Sequence, residues 1–380
     1  MMERTPVVAF PPGEFLKEEL EARGWTQTDL AEILGRPIQV VNEIIAGKKA
    51  ITPETAKGLA AAFGTSAQYW LNLESSYQLW QVKHSDPAVT RRARIYELAP
   101  LKEMIRRGWV EQSPSIEVLE KQVCDFFRIN SIGEEPVFLQ RAARKSTSYT
   151  DLSSAQRAWL FRAFHLARAL EVRPFTDSLF EQGLAQLRLL LEYGEGVRQV
   201  PRVLAESGIR FLVIEPLQQT RIDGVCFWLD ERSPVIALSL RSDRIDSFWF
   251  SLLHELGHVK NRDGLKSNGR LDTDLVGDQA LPTEEKPEFE RRADEFAVDF
   301  LVPQAEIASF IARTRPLYSA ARIIGFAKRI KVHTGIVVGQ LQRRGEITYA
   351  HNRKMLEKVR HTLITSALTD GWGHLSPTTV

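Results

Sequence analysis

Phe248-Trp-Phe-Ser-Leu-Leu-His-Glu-Leu-Gly-His-Val259 is the stretch whose reading decides the fold. Its apolar residues recur at helical spacing, and His254 and His258 stand at i and i+4, one turn apart on one helix face. Both imidazoles can therefore reach a single ion. Glu255 lies about 100° round from His254, where its carboxylate can touch a water at that ion without being a ligand. A zinc hydrolase needs this arrangement, because the metal lowers the pKa of the water and the carboxylate takes its proton. The plainer alternative is a core helix that happens to carry two histidines. Only 8 His occur among the 380 residues, and two of them fall at this spacing around a Glu.

Two imidazoles are one ligand short of a catalytic zinc site, which keeps three protein ligands and one open position. Downstream, Glu288-Phe-Glu-Arg-Arg-Ala-Asp-Glu-Phe-Ala-Val-Asp-Phe-Leu-Val-Pro303 has Phe289, Ala293, Phe296, Ala297, Phe300 and Leu301 at helical spacing. It reads as a second amphipathic helix closed near Pro303. Glu290 and Asp294 share one face of it. The economical assignment gives Glu290 to the metal and lets Asp294 accept the second N–H of a ligating histidine. Glu288, Glu295 and Asp299 compete for these roles.

These two motifs together resemble the ImmA/IrrE family of metallopeptidases. The resemblance implies a zincin-like domain in which His254, His258 and Glu290 bind zinc, with manganese as the alternative, and Glu255 is the general base. Residues 261–287, between the motifs, are polar and read as a surface loop. Upstream, Arg210-Phe-Leu-Val-Ile-Glu-Pro216, Ile222-Asp-Gly-Val-Cys-Phe-Trp-Leu229 and Pro234-Val-Ile-Ala-Leu-Ser-Leu240 read as short strands with turn residues between them. Such a sheet can pack on the metal helix and offer an edge to an extended peptide. His333 carries a side expectation, as a hydrogen-bond donor to the tetrahedral intermediate, against the plainer reading of a turn residue before a helix.

Residues 12 to 80 have another character. Gly24, Gly35 and Gly47 punctuate short amphipathic segments, Thr26 stands as an N-cap, Pro37 opens a helix and Thr52-Pro-Glu-Thr opens another. Two short helices joined by a Gly-containing turn match a helix-turn-helix whose second helix enters the major groove. Ala31-Glu-Ile-Leu-Gly-Arg36, Asn42-Glu-Ile-Ile-Ala-Gly-Lys-Lys-Ala-Ile-Thr-Pro-Glu-Thr-Ala56 and Tyr69-Trp-Leu-Asn-Leu-Glu74 resemble XRE-type DNA-binding domains, and the HigA antitoxin group in particular. Bulk charge does not drive this binding, since residues 1–80 hold seven Lys and Arg against ten Asp and Glu. Arg36, Lys48, Lys49 and Lys57 nevertheless bracket the recognition helix, where phosphates would lie. Gln39 and Asn42 are placed to pair with base edges, and Gln27 to meet phosphate or base.

The chain is long enough for two or three domains. Its net charge of +2, with 43% hydrophobic and 26% charged residues, is that of an ordinary globular protein. No apolar run suffices to span a bilayer, the Met-Met-Glu-Arg start is no signal peptide, and Cys124 and Cys226 are too few for a disulfide framework. A cytoplasmic protein is expected. The expected fold is α+β and mostly helical. An all-α helix-turn-helix domain (1–80) leads through a helical connecting region (81–205) to the metallopeptidase domain with its small β-sheet (206–350), and then to a C-terminal helix and tail (351–380). The expected function is a homodimeric transcription regulator that binds a double-stranded operator and carries a zinc-dependent endopeptidase. Its protein substrate would be a repressor or the chain itself, in a stress or toxin–antitoxin response, with a toxin as a further partner. The competing expectation is a HigA-like antitoxin or repressor whose metal domain senses or dimerises and cleaves little.

Overall fold

Five helices follow one another at the front of the chain: α1 (Pro12–Arg23), α2 (Gln27–Leu34), α3 (Ile38–Ile45), α4 (Pro53–Phe63) and α5 (Ala67–Gln81). The computed structural model describes residues 9–82, 87–136, 152–265, 270–273 and 286–372. It divides into two compact units, residues 1–90 and 91–380. In the first, Thr26 caps α2 reciprocally: its hydroxyl accepts the Asp29 N–H at 3.2 Å while the Asp29 carboxylate accepts the Thr26 N–H at 2.7 Å. Thr52 and Ser66 cap α4 and α5 in the simpler way. Leu16, Leu30, Val41, Ile44, Leu59 and Trp70 close the core of this unit. Each such side chain contributes roughly 1.5–3 kcal/mol through burial. Trp70 also donates its indole N–H to Thr65 at 2.8 Å, so its one polar atom is satisfied in the apolar interior.

The second unit begins with helices: α6 (Pro87–Leu98), α7 (Leu101–Arg106), α8 (Ile116–Phe127), α9 (Ser154–Ala169), α10 (Asp177–Leu190) and α11 (Val200–Glu206). Strands β1 (Arg210–Ile214), β2 (Ile222–Trp228) and β3 (Pro234–Leu238) follow, then α12 (Ile245–Asn261), β4 (Arg270–Thr273) and α13 (Glu288–Leu301). The remainder is α14 (Gln304–Thr314), α15 (Ala320–Ile330), α16 (Thr334–Arg343), α17 (Arg360–Leu363) and β5 (Leu368–Asp370). The sheet is mixed, in the order β4-β2-β3-β1-β5. β1 runs parallel to β3 and β5, and β2 runs antiparallel to β3 and β4.

Two features of the sheet differ from the sequence expectation. β4 lies inside the stretch read as a surface loop, and it takes the edge of β2. β5 lies in the stretch read as helix and tail. Both strands are too short to show an alternating pattern of their own, and their neighbours supply the order. β5 pairs Leu212 with Leu368, and its Asp370 accepts the Trp109 indole N–H at 3.1 Å and an ion pair from Arg162. Helices read as connecting segments are thereby joined to the sheet.

α12 is the centre of this unit. From Ile245 to Val259 every residue but Asp246 is buried. A helix buried on nearly all sides must be covered on all sides. β2 and β3 cover one face of it, and α13 and α16 cover others. Among the described residues no helix is long and apolar enough to cross a membrane.

Candidate metal centre and nucleic-acid interface

His254 and His258 lie on the buried middle of α12, both fully excluded from solvent. Their Nε2 atoms face each other at 3.1 Å. Glu290, on the first turn of α13, brings Oε2 to 3.1 Å from His254 Nε2 and 3.5 Å from His258 Nε2. The opposite nitrogens are each held by a carboxylate. His254 Nδ1 meets Asp294 Oδ1 at 2.9 Å, and His258 Nδ1 meets Asp263 Oδ2 at 2.9 Å.

This pattern fixes the chemistry of the triangle. A carboxylate only accepts, so each Nδ1 carries the hydrogen and each neutral ring turns the lone pair of Nε2 inward. Two nitrogen lone pairs and a carboxylate oxygen then converge on one point, and a shared cation relieves that convergence. Donors around a tetrahedral zinc with bonds of about 2.0–2.1 Å stand about 3.3–3.4 Å apart. The observed edges of 3.1 to 3.5 Å bracket that spacing, and the residue types fit the ion. Burial by itself would raise the Glu290 carboxyl, but where protons on the Nε2 atoms take the place of a metal, bonds from His254 and His258 outweigh it and hold the group well below the usual carboxylate range. Asp294 behaves alike. Burial opposes its ionisation, while His254 and the Lys286 ammonium, 2.6 Å away, keep it lowered.

Glycine sets the spacing at two places. Gly257 sits between the two imidazoles, and a Cβ there would lie 3.0 Å from Ala293 Cα, so α12 and α13 approach closely enough for Glu290 to reach the histidines. Gly224 on β2 does the same for Glu255. A Cβ at Gly224 would overlap Glu255 Oε1 and lie 3.1 Å from its Cδ and 2.9 Å from Leu238 Cδ2. The Glu255 carboxylate is fully buried and lies against the β2 backbone, one position along the helix from His254.

Glu288, Glu295 and Asp299 are exposed. His333 takes the plainer of its two roles. It is the N-cap of α16, with Nδ1 accepting the Gly335 N–H at 3.1 Å and Nε2 3.2 Å from Glu357. A ring whose two nitrogens are engaged in this way suits the plainer reading of His333, a residue that opens a helix. Asp263, Lys286, Gly224 and Gly257 were not singled out from sequence. For Asp263 there was a signal, an acid a few residues past the second histidine, just beyond the helix end.

In the first unit, Gln27, Gln39, Asn42, Lys48 and Lys49 are exposed and Arg36 is half-buried. Glu43 gathers two of them, accepting from Gln39 at 3.1 Å and pairing with Lys49 at 3.7 Å, while Arg36 pairs with Glu54 at 3.0 Å. The surface that would meet DNA is internally paired, and phosphates would replace weak, solvent-screened partners.

Comparisons with known proteins divide along the same lines. A family profile described as helix-turn-helix matches residues 16–70, and one described as IrrE N-terminal-like domain, a peptidase family, matches residues 206–344. An uncharacterized HTH-type transcriptional regulator of Haemophilus influenzae is 37% identical over 86 residues, 22% of this chain and 78% of the relative. Antitoxin HigA-1 of Vibrio cholerae is 38% identical over 73 residues, 19% of this chain and 69% of the relative. Among solved structures, the Pseudomonas aeruginosa antitoxin HigA with the higBA promoter shares 32% identity, covering 25% of this chain and 99% of that one, at a TM-score of 0.20.

Proposed function

We propose that this chain, which belongs to the HTH-type regulators through its first unit and matches the IrrE N-terminal-like domain in its second, is an operator-binding regulator whose second unit is a zinc endopeptidase. The substrate is a regulator protein, a repressor or this chain itself, and the setting is a stress or toxin–antitoxin response. The observation that carries the reading is the convergence of His254 Nε2, His258 Nε2 and Glu290 Oε2 on one point, with the Glu255 carboxylate buried beside them. A structural zinc site favours four protein ligands and has no use for a general base, whereas three ligands and an adjoining carboxylate suit hydrolysis.

When bound, zinc supplies Lewis acidity and a lowered pKa for water. Glu255 would act as general base, taking a proton from the attacking water, and then as general acid, returning it to the departing nitrogen as the C–N bond breaks. Asp294 and Asp263 hold the two imidazoles in the tautomer that keeps Nε2 a donor to the metal. On the first unit, Gln39 and Asn42 read base edges, and Gln27, Arg36, Lys48 and Lys49 fix the position on the backbone. A homodimer matches a two-fold operator, because one short recognition helix reads too few bases for useful specificity.

The likeness to antitoxin HigA-1 favours a second reading, in which the metal unit senses or dimerises and the chain acts as an antitoxin or repressor with a toxin partner. Glu255→Gln separates the two. The amide keeps the size of the side chain and cannot take a proton at neutral pH. Zinc content and operator binding are expected to survive, and cleavage of the regulators encoded nearby, or of the chain itself, to fall by about 10²–10⁴-fold. If a Glu255→Gln strain switched its target genes as the wild type does, the second reading would replace the first.

A further inference from the structure

Arg343, the last residue of α16, lies with its guanidinium carbon 3.3 Å from the centroid of the Phe250 ring. Phe250 is one turn before His254 on α12, and the two rings have centroids 6.0 Å apart. The arginine is thus laid over the wall of the metal centre on the side of His254. Its side chain is exposed, yet the surrounding protein desolvates it enough to pull its pKa down, and Asp294 and Asp246 attract it from beyond ion-pair distance. Stacking fixes the plane of the guanidinium while occupying only its face. Among the described residues no hydrogen bond or ion pair takes up its N–H edge. The neighbouring arginine contrasts with it, since Arg244 is held by Asp246 at 2.8 Å and by Gln342 at 2.9 Å.

We propose that Arg343 is a substrate-docking residue beside the metal centre and takes a carboxylate of the bound peptide by a bidentate, charge-assisted pair. The inference rests on the peptidase reading of the second unit. Its chemistry is that of a planar, pre-oriented fork presented to a planar anion. An acidic side chain near the scissile bond and a C-terminal carboxylate are the two sources of such a group.

The test uses the full-length chain, zinc-loaded and after chelation, with short Arg-free peptides. One carries Glu near its centre with an amidated end, one has Gln in its place, and one is the Gln peptide with a free C-terminal carboxylate. Phenylglyoxal modification of Arg343, followed by peptide mapping, reads docking without any turnover. The Glu peptide, the free-acid peptide, or both are expected to slow modification about tenfold relative to the amidated Gln peptide, as a charge-assisted pair does. Whichever protects identifies the source. For a peptide that is cut, Arg343→Met raises KM with kcat little changed and abolishes the acid-over-amide preference, and Arg343→Lys restores part of it. Equal modification rates with all three peptides overturn the proposal, as does an Arg343→Met chain that melts earlier but keeps the preference. Protection of Arg343 without cleavage leaves the docking role standing and removes the peptidase reading. Cleavage indifferent to charge, with Arg343 unprotected, does the reverse.

Discussion

Gly224→Ala is the most searching perturbation of the second unit, because it replaces neither a ligand nor the general base and acts by crowding the latter. The added methyl would stand 2.9 Å from Leu238 Cδ2 and 3.1 Å from Glu255 Cδ, and would overlap Glu255 Oε1. Carbon atoms settle at about 3.5–4.0 Å, so either the carboxylate or the strand yields by about 1 Å. β2 is paired on both sides, by β3 and by β4, which leaves the Glu255 side chain as the softer partner. A misplacement of that size near reacting atoms costs about 10²-fold in rate. Overpacking a closed interior costs about 1–3 kcal/mol of stability. His254, His258 and Glu290 have no contact with that methyl among its nearest neighbours, so zinc binding is expected to persist. The assays are zinc content by mass spectrometry, thermal unfolding, and the cleavage rate of whatever substrate the wild type cuts. A Gly224→Ala chain that cleaves at the wild-type rate with its melting point lowered would refute the reasoning, because the Glu255 carboxylate would then not need its place against β2.

Glu290→Ala removes one corner of the triangle and is expected to abolish stoichiometric zinc binding, read by metal analysis after dialysis. Asp263→Asn and Asp294→Asn leave the ligands in place but remove the acceptors at the imidazole Nδ1 atoms, and each is expected to weaken zinc by about 10–100-fold in a competition titration. Gln39→Ala and Asn42→Ala should relax sequence preference at a cost of about 1–3 kcal/mol per lost base contact. Lys48→Ala and Lys49→Ala should weaken all sequences alike and flatten the salt dependence in gel shifts. Chelation is expected to lower the unfolding temperature of the second unit and leave that of residues 1–90 unchanged, since all three ligands lie in one unit.

Local signals carried the parts of this structure that local chemistry determines. The helix-turn-helix was legible because Thr26, Thr52 and the glycine stops act on their own few residues. The metal helix was legible because i and i+4 share a face whatever surrounds them. What could not be read depends on the approach of distant segments. Asp263 reaches His258 only because the chain turns back just past the end of α12. Lys286 reaches Asp294 from just ahead of α13, with no periodic pattern in the sequence to place it there. β4 and β5 owe their existence to the strands beside them. His333 shows the converse, since the same residue type in a promising neighbourhood was drawn into an ordinary cap.

The Gly257–Ala293 contact governs more than packing. A calcium ion, with bonds of about 2.3–2.6 Å, would want the three donors nearly 4 Å apart if arranged in the same way. The triangle here is tighter than that, and its two edges to Glu290, 3.1 and 3.5 Å, follow from how near two helix backbones can come where one lacks a side chain. In the proposed zinc site, selection among cations by radius would then be delegated to a residue that never touches the cation. Enlarging position 257 would retune the site toward wider ions without altering a single donor atom.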